Sequence, residues 1–275
     1  MEKQKETIWF VSDSHFSHKN ILKYSTNRKE SLGINMDDPD FLKKHDEAII
    51  RRWNMTVRKH DTVYILGDFS FATTEEVRRI LGHLNGKKHL ILGNHDKSCY
   101  GLNNYFESVS QIKEVTFKKT VFPFLDENMH CVLCHFPISD WNRRIHGAVM
   151  VHGHCHGSYD SINMQSEELR VDIGFDSKLA DCGLVSLEQL YNHMKHTVAK
   201  GRKFEEHVKY LSEKMEAGVK KYTIEELANS YKPSFEEGLL RGYDLEAMAF
   251  FMFLEGIKFT QTGNIREIDY DNIQM

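Results

Sequence analysis

The sequence predicts an α+β fold followed by a helical C-terminal extension, and three observations carry that expectation. Strand-like and helix-like patterns alternate early in the chain, strand-like runs then follow one another to about residue 173, and helix-start signatures dominate from residue 186. The strand candidates are short apolar runs of a length that suits buried strands. They fall at 7–11 (TIWFV), 62–66 (TVYIL), 88–92 (KHLIL), 131–134 (CVLC), 148–151 (AVMV) and 169–173 (LRVDI).

Between the first two runs, Phe41, Leu42, His45, Ile49 and Trp53 share one face at helical spacing, with Asp38-Pro39 as the expected N-cap and first turn. Thr73-Thr74-Glu75-Glu76 reads as a capping box ahead of Val77, Ile80 and Leu81. Ser186-x-x-Gln189, Thr223-x-x-Glu226 and Ser234-x-x-Glu237 are three further helix starts. Residues 1–185 are therefore expected to form one domain and 186–275 a helical extension. The apolar cluster Leu239, Leu240, Leu245, Met248, Phe251, Phe253 and Leu254 is expected to pack on that domain. A dimer interface and a cap over a site stay open as its other uses, and the oligomeric state stays open too.

Composition excludes some classes. The longest apolar run, 247–254, is far short of the roughly 20 residues a membrane span needs. The five cysteines, an odd number without a regular framework, suit reduced thiols, so a cytoplasmic location is expected. Cys131 and Cys134 form C-x-x-C, but residues three apart on a strand face opposite ways, which spoils a shared metal or redox pair. A net charge of -4 argues against a broad nucleic-acid-binding surface.

The 16 histidines are the unusual feature, and their placement is ordered. Five strand ends carry polar motifs in succession: Asp13-Ser14-His15, Gly67-Asp68, Gly93-Asn94-His95-Asp96, His135, and Gly153-His154-Cys155-His156. Strand ends converge on one edge of a sheet, where open α/β architectures bind ligands. Any one motif is weak, since a lone buried His is usually a hydrogen-bonded core residue. Seven such groups meeting as packing alone would carry a desolvation cost on the order of several kcal/mol. Oxygen and imidazole donors without thiolate favour Mn, Fe, Zn, Co or Ni over Cu(I). Cys155, read as lying on an extended segment, would point away from its two His neighbours.

The order D-x-H, G-D, G-N-H-D, H, G-H-x-H resembles the calcineurin-like metallophosphoesterase superfamily, in its small prokaryotic and phage-type members, across roughly residues 7–185. The resemblance implies a four-layer αββα sandwich with two divalent transition-metal ions, Mn foremost, at one edge. It implies that Asp13, His15 and His156 hold one ion, that Asn94, His135 and His154 hold the other, and that Asp68 bridges both. It makes His95 the catalytic acid and Asp96 its orienting partner. The implied reaction is in-line attack of a metal-bridging hydroxide on a small, nucleotide-type phosphodiester or phosphomonoester. The pattern departs from protein Ser/Thr phosphatases, whose G-D-x-V-D-R-G arginine is missing after Asp68.

Around this set, His18, Asn20 and Arg143 are candidate substrate-binding residues. His18 reads equally as a helix-start residue ahead of 20–24. Arg143 and Arg144 suit phosphate and Trp141 a stacked base, although Arg pairs on loops are usually solvated. Lys97 is a weaker candidate of the same kind. Two alternatives remain: a nuclease acting on single-stranded nucleic acid, and a non-catalytic scaffold that kept the fold.

Overall fold

The structure, a computed structural model, describes residues 6–165 and 168–199. The chain divides into two compact units, Met1–Arg202 and Lys203–Met275. The expected helix starts at Thr223 and Ser234 and the apolar cluster from Leu239 to Leu254 lie outside the described residues.

Nine strands and six helices make up the described part: β1 (Ile8–Val11), α1 (Ile21–Tyr24), α2 (Thr26–Leu32), α3 (Phe41–Thr56), β2 (Thr62–Ile65), α4 (Thr74–His83), β3 (Lys87–Ile91), β4 (Ser108–Ser110), β5 (Ile112–Phe117), β6 (Met129–Cys134), β7 (Val149–His152), α5 (Asp160–Gln165), β8 (Arg170–Asp172), β9 (Val185–Ser186) and α6 (Leu187–Ala199). The fold is α+β. One sheet has the order β4-β3-β2-β1-β9 and is parallel except for β9; the other has the order β5-β6-β7-β8, with β5 antiparallel to β6 and the rest parallel.

Alternation along the strands decides the packing. Phe10, Tyr64, Cys131, Leu133, Val149, Val151 and Val171 share one core that joins residues of both sheets. The opposite face of the first sheet presents Val11, Val63, Ile65 and Leu90 to Ile49 and Trp53 of α3 and to Val77, Ile80 and Leu81 of α4. The outer face of the second sheet, with Val132, Cys134 and Met150, is covered by Trp141 and Ile138 from the β6–β7 loop. Short α5 lies beside β8. Cys131 and Cys134 thus belong to different cores, as alternation requires.

Asp61 ties the start of β1 to β2. Its carboxylate, buried at the head of β2, accepts the Thr7 backbone N–H at 3.0 Å, Trp9 Nε1 at 3.3 Å and the Arg58 backbone N–H at 2.9 Å. The cap of α4 is half of the expected box: Thr73 Oγ1 accepts from Glu76 N–H, while the Glu76 carboxylate turns to Arg79. α3 begins at Phe41, later than expected, because Asp38-Pro39 forms a turn in which the Asp38 carboxylate accepts the Asp40 N–H at 2.9 Å.

The capping box at Ser186 is complete, with Gln189 N–H donating to Ser186 Oγ at 3.1 Å and Ser186 N–H to Gln189 Oε1 at 2.8 Å. The helix it starts belongs with the first unit: Leu187, Leu190 and Met194 lie in the inter-sheet core, and β9 pairs with β1. The compact unit therefore runs past residue 185, where the sequence suggested a boundary.

Candidate metal centre

All the strand-end motifs come together where the two sheets converge. Beyond β1, the Asp13 N–H donates to Gly67 O at 3.0 Å and the His15 N–H to Asp68 O at 3.1 Å, so the loops after β1 and β2 lie edge to edge. Past β6 and β7, the Gly153 N–H donates to His135 O at 3.0 Å. A bridge between Ser12 and Gly174 joins the first sheet to the chain just after β8. Three glycines permit this approach. A Cβ on Gly67, which has φ 85°, would meet the Gly93 backbone and His135 Nδ1; one on Gly93 or Gly153 would strike the carboxylates of Asp68 or Asp13.

Backbone geometry marks the same loops. Asp13 (φ 56°), His15 (49°), Asp68 (49°), His154 (67°) and His156 (49°) are all left-handed, a conformation rare for residues with a Cβ. Such strain persists where the surroundings over-determine it, and it clusters at functional sites. One support is visible at Ser17 (φ 60°), whose N–H and Oγ both donate to the Asp46 carboxylate of α3.

Two triads result, Asp13–His15–His156 and Asp68–His135–His154, with the donor atoms of each within 4.8 Å of one another. In the first, Asp13 Oδ1 lies 3.9 Å from His15 Nε2 and 3.8 Å from His156 Nε2, and the two imidazole nitrogens are 3.2 Å apart. In the second, Asp68 Oδ1 is 3.5 Å from His135 Nε2, and Asn94 Oδ1 is 3.0 Å from that same nitrogen. The other oxygen of Asp68 lies 3.9 Å from His15 Nε2, so the carboxylate stands between the triads.

The atoms are suited to a cation. Asp13 Oδ1 is buried without a hydrogen-bond partner, although its sister oxygen accepts the His154 N–H at 2.9 Å. His135 Nδ1 faces Leu66 O at 2.8 Å, which fixes the proton there and leaves Nε2 as a lone pair facing the oxygen of Asn94. Burial pushes the Asp13 carboxyl up to about 7 and pulls the His15 imidazole down to about 2. It also lowers His135 and His154, so these rings are neutral and able to ligate. The donors are carboxylate, amide oxygen and imidazole, a set that fits first-row divalent ions. Cys155 is half-buried with its thiol pushed up to about 12 by burial, and it joins neither triad. Its segment is a turn and not the extended stretch expected, because both flanking histidines are left-handed.

His95 sits at the open side of the cluster, its side chain 45% exposed and Nε2 4.0 Å from Asp68 Oδ2. Its N–H donates to Asp68 Oδ1 at 2.9 Å. Asp96 departs from the expected role. It makes no bond to His95, because a 3₁₀ turn starting at Asp96 points its carboxylate inward, where it accepts the N–H groups of Asp68 (3.0 Å), Phe69 (2.8 Å) and Gly93 (2.7 Å).

Of the substrate candidates, His18 is the one whose ring contacts those of the cluster. The His18 ring stacks on Phe71 at 3.8 Å and lies 5.1 Å from the His15 ring, and its Nδ1 is buried without a partner. Asn20 is exposed at the start of α1 and makes no side-chain cap. Arg143 is exposed, and its charge bears on His130 near the start of β6, roughly 15 Å of strand from His135. Arg144 pairs with Glu168 and Asp140, and the Trp141 ring is buried with Nε1 donating to Ala148 O, so both are engaged within the protein. Lys97 is exposed on the 3₁₀ turn after His95.

Several residues around the cluster escaped sequence reasoning. Phe71, 40% exposed, lies against the rings of His18, His15 and His95. Phe136, 42% exposed, meets His135 and His154 edge to face. Asp172 accepts the N–H groups of Gly157 and Gly174, which holds the turn carrying His156. Arg28 and Asp176 lie behind His156 and are fully or largely buried. Arg28 reads in sequence as one more helix charge, and no spacing rule links it to the motifs.

No protein-family model matches the chain. The chain is 30% identical over 172 residues to the uncharacterized protein MJ1445 of Methanocaldococcus jannaschii, across 60% of this chain and 81% of that one. It belongs to the same family as that protein. It is also 28% identical over 209 residues to the gene 66 protein of Mycobacterium phage L5, across 68% of this chain and 94% of the phage protein. In fold it is similar to the crystal structure of a protein of unknown function, AQ665 from Aquifex aeolicus. That likeness has a TM-score of 0.50 and 22% identity over 69% of this chain and all of the other. Among the described residues no helix is long and apolar enough to cross a membrane.

Proposed function

We propose that the chain is a dinuclear metal-dependent phosphoesterase of the calcineurin-like type, its two sheets being the inner layers of an αββα sandwich. The observation that supports this reading is the pair of triads with the Asp68 carboxylate between them. Asp13, His15 and His156 would hold one divalent ion and Asn94, His135 and His154 the other, with Asp68 shared. Such a pair would activate water and neutralise phosphoryl oxygens.

The chain's own groups do the rest. Asp13 and Asp68 bring two negative charges against four positive ones, so the site stays cationic toward a phosphate. His95, exposed beside Asp68, supplies the proton that the leaving oxygen needs. The ring of Phe71, 4.6 Å from that of His95, restricts where the imidazole can swing. The His18 ring stacks on the same phenyl ring at 3.8 Å.

The test is turnover of bis-p-nitrophenyl phosphate by protein loaded with Mn(II) or Ni(II). Wild-type protein should hydrolyse it and Asp68→Ala should not. A panel of cyclic nucleotides, dinucleotides, nucleotide monophosphates and single-stranded nucleic acid then assigns the substrate class. No hydrolysis of any ester with any metal would sink the reading.

A further inference from the structure

We propose that Arg28 and Asp176 are positioning residues that set two ligands of the Asp13–His15–His156 triad at once. The inference rests on the metal-centre reading above and goes beyond it, since neither residue belongs to the ligand pattern.

The Arg28 side chain is fully buried and donates four hydrogen bonds. Nε reaches Asp176 Oδ1 at 2.8 Å; Nη2 reaches Asp176 Oδ2 at 2.7 Å and Asp13 O at 2.8 Å; Nη1 reaches Ser14 O at 3.0 Å. The Phe175 ring lies 4.8 Å under the guanidinium. Asp176 receives two further donors, Ser25 Oγ at 2.6 Å on Oδ1 and His156 Nδ1 at 2.7 Å on Oδ2. One guanidinium therefore grips the left-handed backbone that aims Asp13 and, through Asp176, the ring of His156.

Two physical consequences follow. In the neutral ring, a proton held on His156 Nδ1 by a carboxylate puts the lone pair on Nε2, the atom 3.8 Å from Asp13 Oδ1 and 3.2 Å from His15 Nε2. The Arg28 fork keeps that carboxylate charged in a buried place, because a planar guanidinium matches its two oxygens. A buried ion pair is poor evidence for stability, since apolar side chains of similar volume often serve a fold as well or better. What apolar replacements could not do is hold two backbone carbonyls and an imidazole in one frame.

The experiment uses the full chain and Mn(II) as the probe. Asp176→Asn offers one acceptor oxygen where four donors converge and leaves the Arg28 charge uncompensated. A double variant, Arg28→Met with Asp176→Leu, removes both charges together, so it tests placement in a protein that carries no stranded charge. Calorimetric titration should show Mn(II) bound ten- to a hundredfold more weakly in both variants. Histidine nitrogen NMR on metal-free protein should show His156 protonated on Nδ1 in the wild type and a tautomer mixture in the double variant. A folded double variant with wild-type Mn(II) affinity and an unchanged His156 tautomer would overturn the assignment. A wild-type chain that takes up no Mn(II) would overturn the metal-centre reading and this one with it.

Discussion

Asp96 Oδ2 accepts the backbone N–H of Asp68 at 3.0 Å, across the gap between the loops that follow β3 and β2. The same oxygen accepts from Gly93, and Oδ1 from Phe69, so one buried carboxylate fixes the loops that carry Asp68, Asn94 and His95. Asp96→Ala strands three backbone donors. It should cost about 2–4 kcal/mol of stability, read by denaturant unfolding, and lower turnover tenfold or more. Asp96→Asn keeps one acceptor and should fall between. A wild-type unfolding curve for Asp96→Ala would refute the clamp.

His95→Gln keeps size and polarity but cannot supply a proton. Turnover at saturating metal should drop on the order of a hundredfold or more, with Mn(II) binding within a few-fold of wild type. Loss of the metal along with activity would instead make His95 a ligand.

Phe71 is half in solvent, so Phe71→Ala should fold and melt within a few degrees of wild type. With the ring that packs on both His18 and His95 removed, kcat should fall roughly ten- to a hundredfold while KM changes little. An unchanged kcat would show that the stack does no positioning.

Gly153 has no room for a methyl group. A Cβ there would strike Ser12 Oγ and Asp13 Oδ2. Gly153→Ala should destabilise the protein by about 2–4 kcal/mol and weaken metal uptake, measured together by melting with and without Mn(II).

Asp61 gives the pH prediction. Burial works against its charge, but hydrogen bonds from Arg58, Thr7 and Trp9 hold its carboxyl below the usual range. Its folded value thus lies under its unfolded one. The stability it contributes is present above a pH of about 4 and is lost as pH falls through the folded value. Asp61→Asn should unfold more easily at neutral pH, by about 2–3 kcal/mol, and lose less on further acidification. Parallel acid-unfolding curves for the two proteins would contradict this.

Much of the site was legible because its residues obey short-range rules. A run such as TIWFV must be buried, and Asp13 and His15 just past it must then sit at the strand end. Six strands could be placed this way. β4, with one exposed residue between two half-buried ones, gave no such signal. Arg28 and Asp176 could not be read, because they meet only when residues 148 positions apart are brought together. Asp96 was misread because its orienting role came from the resemblance alone: an extended backbone would already turn it away from His95, and in the 3₁₀ turn that follows His95 its carboxylate points inward to the N–H groups of Asp68, Phe69 and Gly93.

The Ser12–Gly174 bridge and the Gly153–His135 hydrogen bond have a consequence for assembly. Asp13, Asp68 and Asn94 come from one sheet, and His135, His154 and His156 from the other. Neither half of the chain can therefore build the cluster alone, and ions seated there would act as rivets across the seam. Saturation at a hundred times the dissociation constant would tighten that seam by about 2.7 kcal/mol per ion, so chelation should loosen the joint between the sheets before it disturbs either sheet itself.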